Sequence, residues 1–171
     1  MKKLSTRNIS LILFFLCLSS ITNAQDGWFK QKISNRITVS FPTEPKKINE
    51  TSFGLNQDDI IYATSFVDLL KVTSLSLEAF NKSVISQEYA DEFLEGLAPS
   101  FPKYVFEKPK IYNFQSCTSY TIYGKDSVNR STIHINIVFV DGIAYTVGCI
   151  LPENKDSKLK DLFLANINIS K

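Results

Sequence analysis

Two β-rich runs on either side of Asp141-Gly142 dominate the hydrophobic pattern of the chain, between residues 130 and 151. Asp-Gly between such runs predicts a β-hairpin, because a two-residue type I′ turn needs positive φ at both central positions. Neither face of the hairpin is polar, so we expect it to lie centrally in a sheet that is covered on both sides. The predicted cross-strand pairs are Val140 with Ile143, Val138 with Tyr145, Asn136 with Val147, and His134 with Cys149. One face carries Ile133, Ile135, Ile137 and Phe139, which should contact a helix layer, and the other carries Val138, Val140, Ile143, Tyr145, Val147, Cys149 and Leu151.

Shorter patterns predict the remaining strands. Apolar and polar residues alternate over residues 37–41, and Pro42 and Pro45 end this strand because proline cannot donate to a sheet ladder. The polar segment 46–56 fits either an edge strand or a loop. The apolar residues of segment 70–77 fit neither the helical nor the strand period well, and we interpret this segment as a strand. Two more strands are predicted at residues 60–66 and 111–123, the latter followed by a turn at 124–129.

The clearest helical pattern covers residues 81–98 and is followed directly by Pro99. Asn81 or Ser83 is expected to cap its N terminus. A second, shorter helix is predicted at residues 156–167. The apolar stripe of the first helix consists of Ile85, Tyr89, Phe93 and Leu97, and the second helix carries Leu159, Leu162, Phe163 and Asn166 on one side.

The first 24 residues have the pattern of a signal peptide. Basic residues precede an apolar run at 9–18, and the short side chains of Thr22 and Ala24 favour cleavage after Ala24. A membrane anchor is the alternative, but the apolar run is about half of the ~20 residues that a spanning helix needs. Leu16 stands before Cys17, where a lipoprotein signal needs a small residue. We therefore expect a secreted or periplasmic protein, with one domain over residues 25–171.

Removal of the leader changes the charge of the chain. The full sequence has 19 Lys plus Arg and 17 Asp plus Glu, and the leader holds three basic residues and no acid. The mature chain therefore has 16 basic against 17 acidic residues, a formal net charge of −1. Because no basic stripe remains, we predict no nucleic-acid partner, and we expect no membrane span after the leader is removed.

The order of elements, strands then a helix, then antiparallel strands and a second helix, predicts an α+β fold with a sheet flanked by helices. Residues 37–45, Ile-Thr-Val-Ser-Phe-Pro-Thr-Glu-Pro, are similar to the F-x-V-x-F-P-x-x-P opening of many small secreted members of the PsbP/Mog1-like superfamily. The strands at Tyr62 and from Arg130, the mid-chain helix and the terminal helix extend this resemblance over most of the mature chain. The resemblance implies an α/β/α sandwich, and a cystatin-like helix on a sheet is the alternative. Known relatives include an extrinsic photosystem subunit and a partner of a small GTPase, but no binding residues of either can be matched here.

His134 is the only histidine of the chain, and the predicted hairpin places it directly opposite Cys149. Cysteine–histidine catalysis also needs an orienting third group and an oxyanion site in a cleft, whereas both residues are predicted in mid-strand, where side chains usually pack. The pair is too small a ligand set for a zinc site. Asp58-Asp59 fits a solvated turn better than a cation site. We therefore assign no catalytic, metal-binding or cofactor-binding residue, and no cofactor.

Two hypotheses on function follow. The first is a secreted or periplasmic, non-enzymatic binding or accessory protein whose partner is another protein or a component of the cell envelope. The second is a small hydrolase or thiol enzyme that uses Cys149 and His134. Thiol reactivity separates them, because a catalytic thiolate is alkylated quickly near neutral pH and a packed cysteine is not.

Cys117 and Cys149 are the cysteines of the mature chain. An oxidising compartment favours a disulfide between them. In a simple meander, however, the strand of His134 separates the two cysteine strands, and two inter-strand steps of ~9.6 Å exceed the ~7 Å between Cα atoms that a disulfide spans. We therefore predict two free, packed thiols.

Overall fold

The computed structural model of the protein describes residues 27–155 and 158–170. The predicted leader and its cleavage position after Ala24 lie outside the described residues. Eleven strands are described: β1 (Phe29–Lys32), β2 (Ile37–Phe41), β3 (Lys46–Asn49), β4 (Ser52–Gln57), β5 (Ile60–Asp68), β6 (Val105–Phe106), β7 (Lys110–Phe114), β8 (Cys117–Asp126), β9 (Ser131–Val140), β10 (Ile143–Pro152) and β11 (Ile167–Ile169). The described helices are α1 (Leu69–Thr73), α2 (Leu77–Ser83), α3 (Gln87–Leu97), a 3₁₀ turn (Ala98–Ser100) and α4 (Lys158–Ala165).

The strands form two antiparallel sheets. The large sheet has the order β3-β4-β5-β10-β9-β8-β6, with β7 also paired to β8, and the small sheet has the order β1-β2-β11. This α+β arrangement confirms the predicted fold class. Of the helices in residues 27–155 and 158–170, none is both long and apolar enough to cross a membrane.

The hairpin predicted around Asp141-Gly142 is confirmed. Asp141 and Gly142 have φ values of 52° and 80°, as a type I′ turn requires. All four predicted cross-strand pairs are found between β9 and β10. The hairpin is also central, because β5 pairs with β10 on one side and β8 pairs with β9 on the other.

Each face of the hairpin contributes to its own core. The face that carries Ile135 and Ile137 packs against the helices, where Phe80 and Ala90 are fully buried. The opposite face packs against the small sheet and α4, and Phe163 of α4 is fully buried there. The division of residues between the two faces is the one that the alternation of the sequence predicts.

The strand predicted at residues 70–77 is wrong, since this segment contains α1 and the start of α2. The side chain of Asp68 accepts a hydrogen bond from the Lys71 N–H at 3.1 Å and caps α1. Ser76 caps α2 in the same way through the Ala79 N–H. These local caps stabilise two short helices whose apolar periodicity is too brief to be recognised.

The single helix predicted at residues 81–98 is wrong in its bounds. The helix breaks after Ser83, and α3 begins at Gln87 with Ser86, rather than Asn81 or Ser83, as its N-cap. Ile85 lies in the break and is 64% exposed, so it is not part of the core. The rest of the predicted stripe is confirmed, because Tyr89, Phe93 and Leu97 pack against the helix-side core.

The strand predicted at residues 111–123 is wrong, since it is two strands, β7 and β8. They are joined at Gln115 and Ser116, which have φ values of 47° and 69°. The Gln115 side chain donates to the Ile167 carbonyl at 2.9 Å, which anchors this turn to β11.

Segment 46–56, which fitted either an edge strand or a loop, forms the β3–β4 edge hairpin. The predicted C-terminal helix ends earlier than expected, at Ala165. Residues 156–157, its predicted start, lie outside the described residues. Beyond the helix, β11 pairs with β2, and Ile167 lies opposite Val39.

Candidate functional site: a groove on the large sheet

The helix layer covers only part of the large sheet. Helices α2 and α3 pack over β8 and β9, and the corresponding face of β5 is left open. Along β5, Ile60, Tyr62 and Thr64 are buried against the opposite core, whereas Ile61 and Val67 are 44% and 48% exposed. The open part of the sheet face, between the helices and the β3–β4 hairpin, is a groove of about 390 Å³. This volume lies at the lower end of the range of about 300–1,000 Å³ that is usual for ligand sites.

The register of the central strands orders the floor of the groove in rows across β5 and β10. Ala63 opposes Gly148, and these two small residues deepen the middle of the groove. Ser65 opposes Thr146 at one end, and Ile61 opposes Ile150 at the other. The hydroxyl of Thr64, which is turned to the other face, donates to the Thr146 carbonyl at 2.9 Å and ties the two strands together.

The two walls of the groove come from different parts of the chain. One wall is the edge hairpin, with Ile48 and Asn49 of β3. A Cβ atom at Gly54 would lie 2.9 Å from Ile48 Cδ1, so the absence of a side chain there lets Ile48 lean over the sheet. The other wall is the C-terminal end of α3 with the residues that follow, including Leu97 and Phe101.

The lining of the groove is uncharged and has a polar end and an apolar end. None of its 17 residues is Asp, Glu, Lys, Arg or His. Ser65 lies between Ser52 and Thr146, which oppose it on the two neighbouring strands. Hydroxyls from β4, β5 and β10 therefore lie together at one end of the groove. Ile61, Ile150 and Ile133 form the apolar end. The two ends, Ile61 and Ser65, are four positions apart along β5, a distance of ~13 Å.

His134 and Cys149 are opposite each other, as predicted, but their environment does not favour a nucleophilic thiol. Burial raises the pKa of the Cys149 thiol from 9.0 to about 12. Burial, and then the charge of Lys160, lower the pKa of His134, so the neutral imidazole is favoured. Its Nε2 lies 3.2 Å from Thr132 Oγ1, and its ring lies 5.0 Å from the ring of Tyr123. These features favour a protonated thiol beside a neutral imidazole, the opposite of an activated pair.

The prediction of two free cysteines is confirmed. Cys117 and Cys149 lie on β8 and β10, and β9 separates these strands. Asp58 and Asp59 form the predicted turn, with φ values of 52° and 61°, and Asp59 is largely exposed, 3.8 Å from Lys155 Nζ. Within residues 27–155 and 158–170, no three His, Cys, Asp or Glu side chains are grouped so that they could hold a metal ion.

The groove is not apparent from the sequence. Its floor depends on the pairing of β5 with β10, which are about 80 residues apart in the chain. The available signal was weak: Ala63 and Gly148 are small residues within strands that are otherwise rich in bulky side chains. A small residue in a strand can mark a close approach of a ligand or of another backbone, but it does not show which strand lies beside it.

The two sheets, the central hairpin and the flanking helices define a PsbP-like fold. The chain is similar to the solution structure of cyanobacterial PsbP (CyanoP) from Synechocystis sp. PCC 6803, with a TM-score of 0.56 and 9% sequence identity over 87% of this chain and 96% of that one. At this identity the likeness shows the fold alone.

A crystal structure from Bacteroides thetaiotaomicron VPI-5482 matches 83% of this chain and 48% of its own length, with 13% identity. Its TM-score of 0.41 is too low to support an argument. No protein-family model and no curated protein matches the sequence.

We predict that Cys149 resists alkylation in the folded protein. With the pKa of its thiol near 12, iodoacetamide at pH 8 should leave Cys149 unmodified for hours, and Cys117, which is partly exposed, should react first. Peptide mass mapping after timed quenching distinguishes the two cysteines. In denaturant both should be blocked. Rapid alkylation of Cys149 in the native protein would contradict a pKa raised by burial and would favour the thiol-enzyme hypothesis.

Proposed function

We propose that this chain is an exported, non-enzymatic binding protein and that the groove of the large sheet is its binding site. One observation carries the proposal: an uncharged groove of about 390 Å³ lies open between the edge hairpin and α3. A concave, mostly apolar site with a few polar groups is the usual form of a ligand site.

The absence of charge from the lining supports binding rather than catalysis. General acid–base catalysis needs a titratable side chain within reach of the reacting group, and Cys149 is the one titratable residue among those that line the groove. Cys149 belongs to the lining, but its side chain packs into the opposite core. The thiol-enzyme hypothesis therefore has no support from the geometry.

Binding in the groove can be tested with N-phenyl-1-naphthylamine, an uncharged apolar dye whose fluorescence rises in an apolar site. We expect saturable binding to the native protein. Ala63→Phe should abolish it, because Ala63 is exposed at the middle of the floor and the added ring fills the groove. Circular dichroism would verify that the variant is folded.

Asn113→Phe is the matched control for this experiment. Asn113 is an exposed residue on β7, at the other edge of the sheet. The substitution adds the same aromatic ring to a strand outside the groove, so dye binding should remain as in the native protein. Equal binding by the native protein and by both variants would mean that the dye does not bind in the groove, and the proposed site would be wrong.

Export is supported by the leader pattern of residues 1–24. The protein purified from its native host should begin at Gln25 by intact mass and N-terminal sequencing. A membrane-bound product that retains Met1 would contradict export with cleavage and would favour the anchor.

A further inference from the structure

We infer that the groove takes a neutral, elongated amphiphile, with its apolar chain over the isoleucine end and an uncharged hydroxyl-bearing head group at the serine–threonine end. This inference rests on the proposed function, because it names the chemical class of ligand for the same groove. Two observations support it: the polar and apolar residues of the lining lie at opposite ends of the groove, and none of the lining side chains is charged.

The neutrality of the head group follows from the lining. A charged group that leaves water needs a partner of opposite charge, and burial without one is costly. All 17 lining residues are uncharged, so neither a carboxylate nor an ammonium group gains such a partner inside the groove. The nearest rim strand, β3, carries the exposed Lys46, which opposes Gly54 and belongs to the same face of the sheet. If a ligand were anionic, this lysine is the group that would have to attract it.

The orientation of the ligand follows from the two ends of the floor. Ser65 and Thr146 oppose each other and are half-buried, and Ser52 continues the same row. Each hydroxyl can donate and accept a hydrogen bond, so the row matches a head group that does both. Ile61 and Ile150, about 13 Å away along the strands, offer apolar surface without a polar side chain.

The small residues in the middle of the groove allow one elongated ligand to reach both ends. A large side chain at Ala63 or Gly148 would divide the floor, whereas these small residues leave a continuous passage between the two ends. A Cβ atom at Gly148 would already approach the His134 carbonyl to 3.2 Å and Ile135 Cγ1 to 3.3 Å. An unbranched chain can follow this passage from the isoleucine end to the serine–threonine end.

The experiment compares three amphiphiles that each carry a ten-carbon chain, each below its micelle concentration: monodecanoylglycerol, decanoate and decyltrimethylammonium. Affinity is measured by displacement of N-phenyl-1-naphthylamine and by calorimetry at pH 8. We expect the neutral glyceride to bind at least tenfold more tightly than either ion. The double variant Ser65→Ala/Thr146→Val should bind the glyceride about four- to a hundredfold more weakly, since two hydrogen bonds are lost and each costs about two- to tenfold.

The outcomes separate this inference from the proposed function. Decanoate binding as tightly as the glyceride would overturn the neutral class, and loss of that binding in Lys46→Gln would assign the anion to the rim lysine. Unchanged glyceride affinity in the double variant would overturn the assigned orientation. In both cases dye binding that is blocked by Ala63→Phe still supports the groove as a binding site. If neither the dye nor any amphiphile binds, the proposed function and this inference both fail.

Discussion

Replacing Phe163 by alanine should lower the free energy of unfolding by about 3–5 kcal/mol, the usual cost of truncating a fully buried aromatic residue. The Phe163 side chain is 0% exposed. Its ring centroid lies 5.0 Å from the ring of Phe41 in the small sheet and 5.0 Å from that of Tyr62 in the large sheet. One side chain of α4 thus contacts both sheets, so its removal leaves a cavity where three layers of the fold meet.

Equilibrium denaturation in urea, followed by circular dichroism, measures this change. Leu159→Ala is the control on the same helix, because Leu159 is 36% exposed and its truncation should cost less than about 1.5 kcal/mol. Similar losses for the two variants would mean that α4 does not pack through Phe163, and the position of this helix between the sheets would be wrong.

The central hairpin could be predicted from the sequence because its signals are local and agree with one another. Asp141-Gly142 specifies the turn, the turn specifies the register, and strict alternation assigns each side chain to a face. Apolar residues on both faces then require two covering layers. This reasoning needs no knowledge of other strands, and the structure confirms each step.

The bounds of helices and strands were predicted wrongly where short-range hydrogen bonds interrupt a continuous hydrophobic pattern. Ser86 ends one helix and starts the next, since its hydroxyl donates to the Ser83 carbonyl and accepts from the Tyr89 N–H. A continuous apolar stripe does not reveal such a break. The turn at Gln115 and Ser116 contains neither glycine nor asparagine, so two strands were taken for one.

The candidate site could not be predicted, because it is formed by residues that are distant in sequence. The residues with recognisable chemistry in the sequence were His134 and Cys149. Cys149 is buried in the core on the opposite face, and His134, which opposes it, is half-buried. The groove instead consists of Ser, Thr, Ala, Gly and Ile, residues that carry no catalytic signature. Only the order of the strands, with β5 beside β10, brings Ala63 next to Gly148.

The second large effect is expected for Gly142→Ala, which should destabilise the protein by about 2–5 kcal/mol. Gly142 has a φ of 80°, and an L-residue held in this left-handed region costs about 1–2 kcal/mol. The added Cβ would also lie 2.3 Å from Leu70 Cγ, and overpacking of this kind typically costs about 1–3 kcal/mol. The Leu69 N–H also donates a hydrogen bond to the Gly142 carbonyl at 3.0 Å. A shift of the turn would therefore disturb the start of α1.

Gly96→Ala is the matched control, and its expected effect has the opposite sign. Gly96 lies within α3, and a Cβ atom there would meet nothing within 4 Å. Alanine in a helix is more favourable than glycine, so this variant should gain about 0.5–1 kcal/mol. Thermal and urea denaturation of the two variants beside the native protein measures both effects. A neutral or stabilising Gly142→Ala would mean that the hairpin turn does not need positive φ and does not press against Leu70, and the packing of α1 on the central hairpin would have to be revised.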